Sequence, residues 1–590
     1  MVVTSERVCE WDALPNPQFN FWTIGNVSEV VPGIVRPFTA TFYHQVEHRS
    51  TKAVAEGIDA LDLVPSYPPP TANFLNVFAG RYALNLAWAN AVIATWQVAG
   101  PSGLMDQFIT STDGTDIKAE AIADTARAQR TLRKVRRVWG QLERSVARDR
   151  ERVKRLRATE RARDFSRMSE RGLWRQILAL RQQQVVPFTR HLYVSGAAGD
   201  HTDRLNKLLD EAIPGHDPGL VIALTSALRN VESARPAKGA WDVAKLVARR
   251  GPLADDVRRM TPNAIAAALK EPKDAGWRAF ARAFDEFIAE FGFRGQREVD
   301  PSAADWEEEP AFALSTIKAY LDAPKQRDPH RLEEQSARAR EAIEAQVAPL
   351  IPRHRRTEYR ELLAGAQKFT RMRESTKANW VRTVRTLRPP LRELGRRLVA
   401  RGLLADTDDI FWLTVDEVEQ AVRGDLIADT ARAAVARRRD EAAVLEQTEL
   451  PEVFTVPIRP AAKVLIERSS ATLQGMPVSA GTASGPARVV LSAEAAQEAE
   501  LQPGEVLVAP YTDAPWTPLF VPAAGVVVET GGVLSHAATV AREFGIPAVV
   551  AVKGATTLIK TGQQVTVDGT TGVVTIPNPP APFPRREGGA

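Results

Sequence analysis

The residues around His536 are of the types that covalent phosphoryl transfer requires. A neutral imidazole nitrogen can attack phosphorus and hold the phosphoryl group between two transfer steps. Gly531 and Gly532 let a backbone approach a ligand closely, and Ser535 is a residue type that caps helices, whose free N–H groups favour an anion. This pattern predicts His536 as a phosphoryl carrier, with Thr530, Gly531, Gly532 and Ser535 as phosphate-binding residues.

The elements that position His536 are predicted to be a buried strand and a short helix. The apolar run 524–528 favours a strand, and residues 537–544 favour a helix that stops at Gly545 and Pro547. His536 then lies in the turn between the two elements. A single turn histidine is more often structural than catalytic, so the wider sequence must discriminate between these interpretations.

The sequence around this turn resembles the phosphohistidine, or mobile, domain of the phosphoenolpyruvate-utilising (PEP-utilising) enzymes, which include PEP synthase, pyruvate phosphate dikinase and the rifampicin phosphotransferases. The likeness covers about a hundred residues, and a long motif in a strand-turn-helix context is far more specific than a short pattern. It is carried by residues 473–481 with Gly485, 510–520, 529–547, 565–569 and 572–574. The resemblance implies that His536 is phosphorylated at the expense of ATP and passes the group on.

The middle of the chain is predicted to be a large helical domain. Helical periodicity extends over residues 117–185, 240–248, 275–291, 332–347 and 358–388, whereas the first 70 residues favour irregular or partly β structure. Several segments resemble the substrate-binding domain of rifampicin phosphotransferase-type enzymes. These segments are 22–33 with Pro37, 80–86, 291–300 and 408–414.

The resemblance implies an acceptor site around an Arg-Gly-x-x-Glu stretch that begins at Arg294. A transferring phosphoryl group needs cations for its oxygens and a carboxylate that orients the attacking hydroxyl. We expect Arg294 and Glu298 to be catalytic, and Arg297, Trp22 and Phe38 to contact the acceptor. The alternatives are a structural turn in which Glu298 pairs with an arginine, and a plain aromatic core.

Composition limits the other functional classes. The 590 residues, 44% of them hydrophobic, suggest two or three globular domains, and the formal charge of +5 is small for this length. The basic stretch 127–163 also contains acidic residues and is typical of a solvated helix rather than a nucleic-acid site. One cysteine, Cys9, gives neither a disulfide framework nor a Cys-based metal site, which fits the cytosol. His44 and His48 lack a supporting carboxylate pattern, so no metal site is expected. No membrane span is expected either.

The expected fold class is multidomain, with a large mainly α-helical substrate domain followed by a small α/β swivelling phosphohistidine domain. The expected boundaries are 1–450 for the helical acceptor-binding domain, 451–470 for a linker, 471–577 for the phosphohistidine domain and 578–590 for a disordered tail. Twenty extended linker residues reach at most about 60 Å, enough for a small domain to move between two sites.

The sequence offers no counterpart to the ATP-grasp domain that charges the histidine in single-chain relatives, and no Walker-type run. We therefore expect a separate ATP-grasp subunit that binds ATP and Mg²⁺, as in the two-component phenylphosphate and 4-methylbenzyl phosphate synthases. The expected acceptor is an alcohol or phenol, aromatic or bulky. The alternative is a non-enzymatic phosphohistidine relay or regulatory protein. An intact acceptor pocket favours the enzyme, and a pocket filled by side chains favours the relay.

Overall fold

The computed structural model describes thirteen stretches of the chain: residues 8–16, 18–25, 27, 31–64, 71–95, 125–217, 219–448, 450–458, 472–492, 495, 501–513, 516–532 and 535–576. The predicted disordered tail 578–590, most of the predicted linker and the first part of the predicted helix 117–185 lie outside these ranges. A large helical region is followed by a smaller α/β unit, which confirms the expected fold class.

The helical region contains α1 to α15. Their bounds are Pro37–Ile58, Leu86–Ala94, Thr125–Arg161, Glu170–Ala212, Leu220–Thr225, Arg235–Ala248, Gly251–Arg259, Pro262–Lys270, Ala275–Phe291, Ala311–Leu321, Pro329–Val347, Arg356–Arg385, Arg388–Ala400, Val415–Arg423 and Ala428–Glu446. Three short helices follow in the α/β unit: α16 Thr517–Phe520, α17 His536–Phe544 and α18 Ala555–Leu558.

The strands form three sheets. Strands β1 to β6 are Leu14–Pro15, Trp22–Thr23, Thr71–Ala72, Leu75–Phe78, Arg81–Asn85 and Val453–Phe454, and β7 to β14 are Thr472–Gln474, Met476–Ser479, Thr482–Val489, Val506–Ala509, Gly525–Val528, Ala548–Val550, Gln564–Asp568 and Val573–Thr575. β1 pairs with β3, and β4-β5-β2-β6 form an antiparallel sheet.

Helices α4 and α12 pack side by side through much of their length and form the centre of the helical region. Their approach is close at Gly365, because an added Cβ there would meet the ring of His201 at 2.1 Å. The sequence pattern 117–185 is divided into α3 and α4, since Asp164 and Ser169 cap new helical turns and end the continuous helix. Residues 37–58, predicted to be irregular, form α1, which begins with a proline at its first position.

The basic helix α3 is tied to the rest of the region by ion pairs. Arg127 and Lys134 pair with Asp62 and Asp59 at 2.6 and 2.8 Å, and Arg157 pairs with Glu307 at 2.8 Å. The basic stretch is therefore helical, as the sequence predicted, but one side of the helix is packed and several of its basic side chains have acidic partners instead of only solvent.

The predicted linker begins too early. β6, Val453–Phe454, pairs with β2, and the Asn20 side chain both accepts from the Val456 N–H at 3.0 Å and donates to its carbonyl at 2.6 Å. Residues 453–456 are therefore held to the N-terminal end of the helical region. The prolines at 451, 457 and 460 suggested a linker, but backbone pairing with a distant strand keeps the first part ordered.

The C-terminal unit is built on an eight-stranded sheet of order β7-β14-β13-β9-β10-β11-β12-β8. Its central strands β9 to β12 are parallel, which explains the continuous apolar run at 525–528. Helix α17 connects β11 to β12 and packs against α11 of the helical region. Within the described ranges, no helix combines the length and apolar character that crossing a lipid bilayer requires.

Candidate functional site

The turn that carries His536 has the predicted strand-turn-helix structure. Helix α17 begins at His536, and the Ser535 hydroxyl accepts a hydrogen bond from the Ala538 N–H at 3.0 Å. The helix ends at Gly545, which has the positive φ of 63° that glycine adopts without strain. The residue types at both ends thus determine where the helix begins and stops.

The surroundings of His536 keep its imidazole ring uncharged. Its Nε2 lies 3.1 Å from the Thr517 hydroxyl, and the edge of the Phe520 ring is against the imidazole, with ring centroids 6.2 Å apart. Burial, together with the nearby cations Lys377 and Arg294, lowers the pKa of His536 to about 3, although Glu374 acts in the opposite direction. At neutral pH the imidazole is therefore uncharged and has a lone pair available for phosphorus.

The predicted phosphate-binding residues build the turn itself. The Thr530 hydroxyl donates to the Pro510 carbonyl at 2.8 Å, and the Ser535 N–H donates to the Gly532 carbonyl at 3.0 Å. Gly531 has φ of 132°, a conformation that L side chains rarely adopt. These contacts explain the residue types structurally, and a role in phosphate binding stays a prediction.

Helix α12 places a cationic cluster beside His536 that the sequence analysis missed. Arg373 donates to Glu374 at 3.0 Å, and Lys377 follows one turn later. Burial would raise the pKa of Glu374, but Arg373, Lys377 and the His536 and His191 rings hold it below its usual range. In the sequence these residues look like an ordinary polar helix face, and only the packing of α12 next to the C-terminal unit identifies them.

Arg294 and Glu298 form a buried ion pair at the same place. Both carboxylate oxygens of Glu298 accept from one Arg294 nitrogen, at 3.0 and 3.1 Å, and the second Arg294 nitrogen donates to the Glu232 carbonyl at 3.3 Å. The pair is close enough to the C-terminal unit for Arg294 to lower the pKa of His536 and for Glu298 to raise that of Asp513. The predicted residues therefore lie at the site, paired with each other, and their catalytic roles stay predictions.

Asp513 enters this site from the C-terminal unit. Its side chain is buried, and neither carboxyl oxygen has a hydrogen-bonding partner within the described residues. Burial first, and the charge of Glu298 second, raise its pKa well above the usual range, although the charges of Lys377 and Arg385 act in the opposite direction.

Arg297 has a structural environment that differs from the predicted one. Its guanidinium pairs with the fully buried Asp300 at 2.9 Å and donates to the Ile34 carbonyl, so it ties the loop after α9 to the segment before α1. These contacts explain Arg297 structurally, and its contact with the acceptor stays a prediction.

Trp22 and Phe38 also need correction. Both side chains have no exposed surface: Trp22 packs on Phe78, and Phe38 packs on Phe42 and Phe411. Each side chain is packed in a hydrophobic core of the helical region.

A cavity of about 200 Å³ opens between α1, α2, α3, α4 and α12. Its walls are mostly aliphatic and aromatic, and the rings that line it are those of Phe74, Tyr82, Trp88, Trp139, Phe188, His191, Tyr193 and Trp380. Arg373 of the cationic cluster is also part of the wall. His191, which hydrogen-bonds to Thr376 at 3.2 Å, has its pKa lowered to about 3 by burial and by Arg373 and Lys377. One end of the cavity thus borders the charged groups that surround His536.

The fold and site define a protein in which a histidine of a small α/β unit is packed against a large helical region. Residues 501–572 match the family of the PEP-utilising enzyme mobile domain, and residues 191–374 match the rifampicin phosphotransferase fourth domain. The resemblance seen in the sequence is therefore confirmed: over these two regions the chain is similar to the PEP-utilising enzymes and the rifampicin phosphotransferases.

Three curated relatives illustrate the similarity. The prodigiosin synthesizing transferase PigC of Serratia marcescens is 32% identical over 63% of this chain and 42% of its own length. Rifampicin phosphotransferases of Bacillus cereus and of a Streptomyces species are 31% and 34% identical, over 50% and 51% of this chain and 34% and 35% of theirs. The matched region spans about a third to two fifths of these relatives. Among solved structures, a UPF0107 protein matches 18% of this chain and 99% of its own at 17% identity, with a TM-score of 0.16.

Proposed function

We propose that this protein is a phosphotransferase in which His536 carries a phosphoryl group from ATP to the hydroxyl of an alcohol or phenol bound in the helical region. The observation that supports this most is the juxtaposition of three features: a neutral His536 at the start of α17, the α12 cations beside it, and an apolar cavity bordered by one of those cations. A carrier, a charge clamp and an acceptor pocket are the parts that such a transfer requires.

The charging step is assigned to an ATP-grasp subunit on a separate polypeptide, which binds ATP and Mg²⁺. In this step an imidazole nitrogen of His536 takes the β-phosphoryl group of ATP. Water takes the γ-phosphoryl group, so that AMP and inorganic phosphate leave. For this exchange we propose that the C-terminal unit leaves the helical region and visits the partner.

In the transfer step, the acceptor oxygen forms a bond to phosphorus while the bond from phosphorus to the imidazole nitrogen breaks. The hydroxyl proton returns to the ring, which regenerates neutral His536. We assign Lys377, Arg373 and Arg294 to the phosphoryl oxygens, because cations aimed at the transferring group lower the barrier without reorganising. Since both oxygens of Glu298 are held by Arg294, we assign Glu298 to orienting that guanidinium.

A non-enzymatic relay or regulatory protein would not need a cavity for a small-molecule acceptor. A pocket filled by side chains would have favoured a phosphorylation switch without a small-molecule product. The open cavity next to the cationic cluster instead supports the enzyme.

The test measures whether labelled phosphate becomes attached to His536 and whether an acceptor then removes it. The chain is mixed with an ATP-grasp partner, Mg²⁺ and ATP labelled in the β-phosphate, and acid-labile, base-stable label is followed. We expect His536→Ala to abolish both label and product, and the exposed His354→Ala to retain both. Label of equal amount on His536→Ala would contradict the proposal.

A second arm separates the histidine from its partner. Phosphoramidate transfers phosphoryl groups to reactive histidines without any enzyme. Label from phosphoramidate but not from ATP and the partner would retain His536 as the carrier and refute that partner as the charging subunit. No label from either source would refute the carrier.

A further inference from the structure

The cavity between α1, α2, α3, α4 and α12 has features that restrict what it can hold. Among the described residues, its walls contain no lysine, aspartate or glutamate, and Arg373 is the one charged side chain. Most of the other lining atoms belong to apolar side chains, so a ligand with a charged body would lose its hydration without compensation. The cavity therefore selects an uncharged, largely apolar molecule.

Size narrows the class of ligand further. The cavity volume of about 200 Å³ slightly exceeds the roughly 150 Å³ of an apolar protein cavity that holds one benzene ring. One aromatic ring, or two fused rings, fills this space. A macrocycle is several times larger and does not enter it.

One polar atom in the wall is unmatched. Trp380 is 5% exposed, it lines the cavity, and its indole N–H has no acceptor among the described residues. A buried donor without a partner costs about 1–3 kcal/mol unless something accepts from it. The Trp380 and His191 rings are stacked at an angle of 23° with centroids 6.4 Å apart, and Arg373 is close enough to lower the pKa of His191, so these three lining residues lie together.

We propose that this cavity binds a phenol or aromatic alcohol of one or two fused rings. Its ring fills the apolar part, and its oxygen lies at the Trp380, His191 and Arg373 end and accepts from the Trp380 indole. The phosphorylation of this ligand rests on the proposed function, whereas its binding does not. The cavity thereby excludes macrocyclic acceptors such as the antibiotic in the names of the relatives.

Gly196 provides a way to fill the cavity without disturbing its walls. It lies on α4 and lines the cavity, and a Cβ added there would meet no atom within 4 Å. Gly196→Leu therefore occupies ligand space, and replacing a helical glycine also favours the helix. Gly140→Leu is the matched control, since Gly140 is an exposed helical glycine of α3 that also has open space around it.

The experiment is calorimetric titration of the unphosphorylated full chain with 2-naphthol. We expect the wild type and Gly140→Leu to bind it equally, Gly196→Leu to bind at least tenfold more weakly, and rifampicin not to compete. Trp380→Phe retains a ring and deletes the donor. It should therefore weaken the binding of 2-naphthol about tenfold and leave the binding affinity for naphthalene unchanged. Circular dichroism of each variant verifies folding.

The outcomes separate this inference from the proposed function. Equal affinity of Gly196→Leu and wild type, or competition by rifampicin, would overturn the cavity assignment. Unchanged 2-naphthol affinity in Trp380→Phe would overturn the role of the indole. If 2-naphthol binds as expected but the charged protein does not phosphorylate it or any other ring alcohol, the binding inference stands and the proposed function fails.

Discussion

Lys377 and Arg294 are the two cations that lower the pKa of His536, and they differ in their hydrogen bonds. Lys377 is close enough to His536 to lower its pKa, and its ammonium makes no hydrogen bond within the described part of the chain. Arg294, by contrast, is held by Glu298 and the Glu232 carbonyl. A cation near the carrier that is not consumed by structural contacts is available to the phosphoryl oxygens.

The first prediction concerns this residue. Lys377→Met removes the charge and retains the length of the side chain, so discharge of phosphorylated His536 to an acceptor should slow by about 10²–10³-fold. Single-turnover decay of the labelled protein with acceptor present measures this rate. Lys368→Met, which changes an exposed lysine of the same helix, should leave the rate within twofold. A rate for Lys377→Met equal to that of the control would show that Lys377 does not stabilise the phosphoryl oxygens during transfer.

Sequence reasoning could predict His536 but not its electrostatic neighbours. Two glycines, a serine cap and a following helix are local signals that lie within fifteen residues of the histidine. Arg373 and Lys377 occupy polar positions on a long helix, and nothing local distinguishes them from a solvated face. Trp22 was misassigned for a similar reason, because an aromatic residue in the sequence does not reveal whether it faces a cavity or the core.

At the scale of elements, the strands and helices of the C-terminal unit were easier to predict than their close contacts. The run at 525–528 and the stop at Gly545 depend on local residue types. β6 could not be predicted, because two residues become a strand only through pairing with β2, more than 400 residues earlier. Tertiary partners that distant leave no periodic signal in the sequence.

β9 supplies the second prediction. A Cβ on Gly485 would lie 2.1 Å from the Gly504 carbonyl oxygen, so the backbone before β10 would have to move. Gly485→Ala should therefore lower the free energy of unfolding of the C-terminal unit by about 1–3 kcal/mol. Hydrogen exchange of β9 to β11 at increasing urea concentrations measures this loss of unfolding free energy. The exposed Thr482→Ala on the same strand serves as the control, and equal midpoints for the two variants would contradict the steric argument.

At the scale of the whole molecule, the C-terminal unit and the helical region share one apolar core. A single buried cluster contains Trp241 and Tyr320 from one and Phe520 and Phe544 from the other. The contact also buries Glu543, which accepts from the Leu228 N–H at 3.1 Å. Burial, with Glu333 nearby, raises the pKa of Glu543 to about 8, although Lys238 and Arg542 act in the opposite direction.

The third prediction follows from this pKa. Glu543 is protonated in the docked arrangement up to about pH 8, whereas in solvent it ionises near its usual pKa of 4.5. Its contribution to docking is therefore complete below pH 4.5 and is lost as pH rises toward 8. Glu543→Gln keeps an acceptor for Leu228 without the charge, so docking at pH 8 should strengthen by tenfold or more, and docking at pH 4.5 should equal that of the wild type.

Hydrogen exchange of residues 536–544, corrected for intrinsic rates, measures docking at the two pH values. Glu361→Gln changes an exposed glutamate of α12 and should behave as the wild type. His536 and Asp513 are titratable groups in the same contact between the C-terminal unit and the helical region. Each variant is therefore compared with the wild type at the same pH. Identical exchange of Glu543→Gln and wild type at pH 8 would show that Glu543 does not oppose docking.

The pairing of β6 with β2 fixes the point from which the C-terminal unit is tethered. Ordered contacts hold the chain as far as Val456, and thirteen residues separate Ile458 from the start of β7. A chain of that length spans at most about 50 Å. The fold thus limits how far the start of β7 can move from the β4-β5-β2-β6 sheet. Any protein that charges His536 must bring its nucleotide within that span plus the distance from β7 to His536.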